Sequence, residues 1–103
     1  MKLTGKAKEE FEKWYANNPA HHYHEATPKQ LEFGKIDVRC QWGVYQDFAD
    51  SIGVHFQVEF HYDIENEVNF YVSNVNGNLS RNPTRQEARN ASVDKLNELI
   101  NEN

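Results

Sequence analysis

The sequence predicts an α+β fold: one domain spanning residues 1–103, with helices on one face of a short antiparallel sheet of two or three strands, in the order α-α-β-β-(β)-α. Three observations predict it. The stretch VHFQVEFHYD alternates apolar and polar residues with a period of two, the pattern of a half-buried strand. The segments at either end of the chain repeat apolar residues at three- and four-residue steps, the helical period. A hairpin alone is only marginally stable in water, so those helices are needed to cover its aromatic face.

The first helix is expected over about residues 4–16. Thr4 stands at the N-cap position, Asn17-Asn18-Pro19 closes the segment, and Ala7, Phe11, Trp14 and Tyr15 form its inward stripe. Residues 17–36 read as a long loop that is polar, His-rich and bounded by prolines, with Leu31, Phe33 and Ile36 as anchors onto the domain. A second helix over about 38–52 starts at a capping Asp37 and ends before Gly53, a C-terminal left-handed glycine. Its inward face is read as Cys40, Val44, Tyr45, Phe48 and Ile52. Gly43, mid-helix, predicts close approach of another backbone.

In the first strand Val54, Phe56, Val58, Phe60 and Tyr62 are expected to face inward. In the second, EVNFYVSNV, the same alternation assigns Val68, Phe70 and Val72 to the core. The connecting IENE makes a hairpin the shortest link. Asn76-Gly77 is a strong hairpin signal that would fold a short third strand, Asn78 to Arg81. The last helix, about 84–101, opens with Thr84 three residues before Glu87, a capping box, and buries Ala88, Ala91, Ser92, Leu96, Leu99 and Ile100.

Composition narrows the function classes. Hydrophobic residues make up 38% of the chain and aromatics 13%, enough for one core and too much for a disordered chain. The net charge of -5 disfavours a generic phosphate-backbone binder, whose affinity comes from Lys and Arg. A single cysteine, Cys40, excludes an internal disulfide and a cysteine zinc knuckle, and is expected to be a buried structural thiol. The opening MKLTGKAKEEF lacks the apolar region of a signal peptide, and no run is long enough to span a membrane. The expected compartment is therefore cytoplasmic.

Two constellations invite a chemical reading. AHHYHEATP places His21, His22 and His24 within four residues beside Glu25, but supplies fewer ligands than a catalytic zinc needs, and neither H-E-x-x-H nor C-x-x-C is present. No metal and no cofactor is expected, and the stretch reads as a solvent-facing connector. On the expected polar strand face, His55, Gln57, Glu59 and His61 line up with Asp63, and Tyr71 is read as sitting across from them. A Glu–His pair there has acid–base potential, but an open sheet face excludes no water, so the expectation is a partner-binding surface and no enzyme.

VHFQVEF, FYVSNVNGN and TRQEARNASVDKL together resemble the double-stranded-RNA-binding domain. In that family the last helix opens with Ser or Thr and a basic cluster around an alanine that grips phosphates. The matching residues here are Thr84, Arg85, Gln86, Ala88 and Arg89, with Gln86 where the family generally has lysine. The family's Gly-Pro-x-His loop is replaced by the acidic DIENEVNF. The resemblance implies an RNA-binding alternative using Arg81, Arg85 and Arg89. A second resemblance runs through LTGKAKEEFEKWY, QWGVYQDFADSIGV and the closing helix. It is to a group of small proteins from Bacteroidetes and their phages that brings no established activity. It implies a phage or mobile-element accessory protein that binds a host protein. The reading from sequence is thus a non-catalytic protein-binding module, monomeric or homodimeric, the dimer arising if the second strand pairs with its own copy.

Overall fold

The computed structural model describes residues 2–18 and 38–102. The His-rich stretch with His21, His22 and His24, the anchors Leu31, Phe33 and Ile36, and the Asp37 cap lie outside the described residues. Within them the chain forms helix α1 (Gly5–Ala16), helix α2 (Val38–Ser51), strands β1 (Phe56–Asp63), β2 (Val68–Val75) and β3 (Asn78–Asn82), and helix α3 (Arg85–Asn101). The strands make one antiparallel sheet in the order β1-β2-β3, so the fold is α+β and the optional third strand is present.

Helix α1 buries Ala7, Phe11 and Tyr15, as the spacing predicts, with Leu3 buried just before it. Thr4 has the extended backbone of an N-cap, but its side chain makes no capping bond. The first turn is instead closed by α3. The Ala7 amide donates to Asn101 Oδ1 at 2.9 Å, Asn101 Nδ2 donates to the Thr4 carbonyl at 3.0 Å, and the Thr4 amide donates to Asn97 Oδ1 at 2.8 Å. These bonds satisfy amides that a helix start leaves without partners. Gly5 makes the approach possible. It sits at φ +56, and a Cβ there would come within 3.2 Å of Asn101 Oδ1.

Helix α2 packs against α1 through aromatic rings: Phe11 meets Tyr45 at 5.2 Å and Phe48 edge-on at 5.2 Å, and Trp14 meets Phe48 at 5.5 Å. Among its described side chains, Gln41, Trp42, Val44, Tyr45, Phe48 and Ala49 are buried. Burial pushes the Tyr45 hydroxyl pKa up to about 12. Two expectations are corrected here. Cys40 is exposed and Ile52 is 41% exposed, because the buried stripe centres on Tyr45 and Phe48 and reaches back to Gln41 and Trp42. Among the described residues Gly43 has no neighbour within 4 Å of where a Cβ would stand, so none of their backbone approaches it. Gly53 does take the left-handed conformation, at φ +75.

The sheet corrects the assignment of faces. The turn between β1 and β2 holds four residues, so Asp63 pairs with Val68 and even-numbered residues of β1 oppose odd-numbered residues of β2. Phe56, Val58, Phe60 and Tyr62 therefore share the helix-covered face with Val75, Ser73, Tyr71 and Asn69. Val68, Phe70 and Val72, expected inward, stand on the opposite face with Gln57, Glu59, His61 and Asp63. Asn76 (φ 51) and Gly77 (φ 85) form the two-residue turn expected of Asn-Gly and lead into β3. Strand β2 is paired on both edges, so it is not available to pair with its own copy; among the described residues the sheet ends at β1 and β3.

Helix α3 lies across all three strands and beside α1. The Glu87 amide donates to Thr84 Oγ1 at 3.1 Å, the N-terminal half of the expected capping box. Its buried residues are Ala88, Ser92, Val93, Leu96 and Ile100; Val93 joins the predicted stripe, while Ala91 and Leu99 are only partly buried. A buried hydroxyl chain pins α3 to β2. Ser92 Oγ donates to the Ala88 carbonyl at 2.9 Å, which uses its one proton, so Ser73 is the donor in the 2.6 Å Ser73–Ser92 bond.

Candidate functional site

Strand β1 has eight residues, about 26 Å at 3.3 Å per residue. The helices do not cover that whole length. Phe56 at its start is 5% exposed and packs on Trp42 at 4.7 Å. Val58 is half-buried against the core. Phe60 is 58% exposed and Tyr62 54% exposed, although both lie on the same face as Phe56. The limit is set where α3 begins. The Arg85 guanidinium lies 5.3 Å over the Tyr71 ring, and Tyr71 is the cross-strand partner of Phe60, which it meets edge-on at 5.4 Å. Past that pair no described helix covers the sheet. The turn adds Ile64, 80% exposed, and the first residue of β2 adds Val68, 45% exposed on the outer face. The far end of the hairpin therefore presents large apolar side chains on both faces and at its tip.

The tip itself is ordered by Asp63. Its carboxylate accepts from the Asn66 amide at 3.2 Å and from Asn66 Nδ2 at 2.8 Å, and pairs with Arg81 Nη2 at 3.4 Å. The hydrogen bonds from Asn66 hold the Asp63 carboxyl below its ordinary value, with Arg81 adding to them. Glu67 closes the turn in the left-handed region at φ 52. Exposed Glu65 and Glu67 leave the tip acidic.

The outer face carries most of the residues proposed from sequence as a partner surface. Gln57, Glu59 and His61 line up on β1, with exposed His55 just before it. Glu59 accepts from Asn74 Nδ2 at 3.1 Å and lies 3.1 Å from His61 Nε2. These contacts, Asn74 first, pull the Glu59 carboxyl below its ordinary value, and the charge of His55 works in the same direction. The His61 ring stacks on Phe70 at 5.3 Å, and the Arg81 guanidinium sits 3.8 Å over the same ring. Phe70 thus ties β1 to β3 through β2. Tyr71 does not join this group, because the register turns it to the inner face.

The three arginines proposed as a basic ridge are divided between the two faces. Arg81 stands on the outer face over Phe70. Arg85 and Arg89, one turn apart on α3, lean inward over Tyr71 and Trp42, with Arg89 5.6 Å from the Trp42 ring. Between α2, β1 and the start of α3 they border an open cleft of about 310 Å³ lined also by Gln46, Phe56 and Val58. A second groove of about 430 Å³ runs between β3 and α3 past Ser80, Asp94 and Glu98. Among the described residues no three His, Cys, Asp or Glu side chains gather as metal ligands. No helix among them is long and apolar enough to cross a membrane.

Sequence reading assigned Phe60, Tyr62 and Val68 to the core, and only the turn at 63–67, which holds Ile64, was expected as an interaction surface. A signal was present: Ile64 and Val68 are apolar residues flanking an otherwise acidic turn, where polar residues are the rule. It also missed Trp42 and Phe70, the rings on which Arg89 and Arg81 rest. Compared with known protein families, curated proteins and solved structures, the chain matches none of them.

Proposed function

We propose that this chain is a non-catalytic protein-binding module that engages its partner through the far end of the β1–β2 hairpin. The observation that carries the reading is the run of large apolar side chains that the helices leave in water: Phe60, Tyr62, Ile64 and Val68, each 45–80% exposed within one hairpin. Single exposed apolar residues are ordinary, but four large ones gathered at one hairpin end and rimmed by charge mark an interaction surface. The aromatic members are of the type that dominates binding energy at protein interfaces. The Glu59–His61 pair, by contrast, is partly exposed on a sheet face that no described helix covers, which favours a recognition role for it over a catalytic one. The likeness to the Bacteroidetes and phage group is the sole support for a mobile-element origin and a host-protein target.

The test is photocrosslinking. A benzoylphenylalanine placed at Ile64 should give covalent adducts to protein in a cell lysate, whereas the same group at exposed Lys8 on α1 should give few. Equal labelling at both positions, or none at either, would remove this reading.

A second reading, binding of double-stranded RNA, has one specific observation in its favour. The run β1-β2-β3-α3 has the strand–strand–short strand–helix order on which the sequence resemblance rests, with Thr84, Arg85 and Arg89 at the start of its last helix. The acidic β1–β2 turn and the placement of Arg81 on the far face weigh against it. This reading expects a salt-sensitive mobility shift that is lost in Arg85→Glu/Arg89→Glu.

A further inference from the structure

We propose that the occupant of the far inner face is a second copy of this chain, docked with its hairpin antiparallel to the first about a two-fold axis. The proposal rests on the reading of that face as a protein-docking surface and names what docks there. Its basis is the distribution of charge along the patch. At one end stands Arg85, exposed and over the Tyr71 ring, with no carboxylate partner among the described residues. At the other end stand Glu65 and Glu67, exposed and likewise without a cationic partner among the described residues. Between them lie Phe60, Tyr62, Tyr71 and Ile64. From the Phe60–Tyr71 pair to the end of β1 at Asp63 is three residues of strand, about 10 Å, and Ile64 follows in the turn.

A surface that is apolar in the middle and oppositely charged at its ends is complementary to itself after a two-fold rotation. An axis through the middle of the patch brings each Arg85 to the other copy's Glu65 and Glu67, while the aromatic centres meet. Symmetry makes the contact isologous and closed, so it stops at a dimer. A foreign partner of uniform charge fits less well, since a basic one is repelled at Arg85 and an acidic one at the tip. The patch is small for an interface, so the dimer is expected to be reversible, with a dissociation constant on the order of micromolar or weaker.

Sedimentation equilibrium of the full chain over a wide concentration range reads this directly. The wild type should pass reversibly from monomer to dimer. Arg85→Glu should weaken the dimer by about tenfold or more, and so should Glu65→Arg/Glu67→Arg, because each places like charges together. Combining all three substitutions should restore association to near the wild-type value, and Phe60→Ser should abolish it. All of these sites are exposed, and circular dichroism melting confirms that each variant folds. A chain that stays monomeric throughout, or a dimer indifferent to the charge reversals, would overturn the proposal. If the chain is monomeric while position 64 still crosslinks a different protein, the inference fails and the docking reading stands. If position 64 crosslinks nothing, both fail.

Discussion

The two ends of one hairpin carry the same alternation and meet different fates. At the near end, Phe56 and Val75 face each other beneath the helices and are 5% and 0% exposed. Four residues further on, Phe60 and its partner Tyr71 stand on the same face, yet Phe60 is 58% exposed. Nothing in the strand itself changes between them. What changes is the cover: α3 begins at Arg85, above Tyr71, and runs the other way. Alternation decides which side a residue faces, whereas the position of a helix terminus decides whether that side is dry.

The sharpest way to break the comparison is to truncate one ring at each end of the molecule. Phe48→Ala removes a side chain that is 1% exposed at the centre of the aromatic cluster and should cost about 3–5 kcal/mol in urea unfolding. Phe60→Ala should cost under about 1 kcal/mol, since its ring is mostly in water already. Comparable losses would show that Phe60 is covered in solution. A smaller effect separates the near end's polar lock from its packing. Ser92→Ala leaves the buried Ser73 hydroxyl without an acceptor and should cost about 1–3 kcal/mol. Replacing both serines by alanine should recover part of that loss.

Thr84→Ala tests where the cover starts. Losing its bond to the Glu87 amide should cost about 1 kcal/mol. Hydrogen exchange should also rise in the first turn of α3 while the amides near Leu96 stay protected. The smallest effect is on the outer face. Glu59 has a carboxyl held below its unfolded value, so its contribution is present above the unfolded pKa and is lost as pH falls through the folded one. In Asn74→Ala the Glu59 titration midpoint, followed by NMR, should move up. An unchanged midpoint would assign the depression to His61 rather than to the stronger contact with Asn74.

Local signals in the sequence carried most of the elements. Period two located β1, Asn76-Gly77 located the second turn, and Thr84 with Glu87 located the start of α3, because each is set by residues a few positions apart. The faces of β2 were not legible in the same way. Val68, Phe70 and Val72 read as a buried stripe, but a four-residue turn fixes their parity, and Phe70 is placed outside by that turn and held there by His61 and Arg81. Ser73 then fills an inner position that apolarity alone would not assign, because Ser92 arrives to meet its hydroxyl. The candidate site was half legible. Gln57, Glu59 and His61 do share a face, but Tyr71 does not join them, and Phe60 and Tyr62 were assigned to a core that does not extend so far. Coverage depends on where another element ends, a tertiary fact with no local sequence mark.

The bonds from Asn97 and Asn101 to the start of α1 also bear on the order of events in folding. They join residues more than ninety positions apart, so the closure entropy of nearly the whole chain must be met before they can form. They are expected to form last, after the sheet and α3 have assembled. In a stopped-flow chevron, Asn101→Ala should therefore leave the refolding limb almost unchanged and raise the unfolding rate, a φ-value near zero at the seam that joins the two terminal helices.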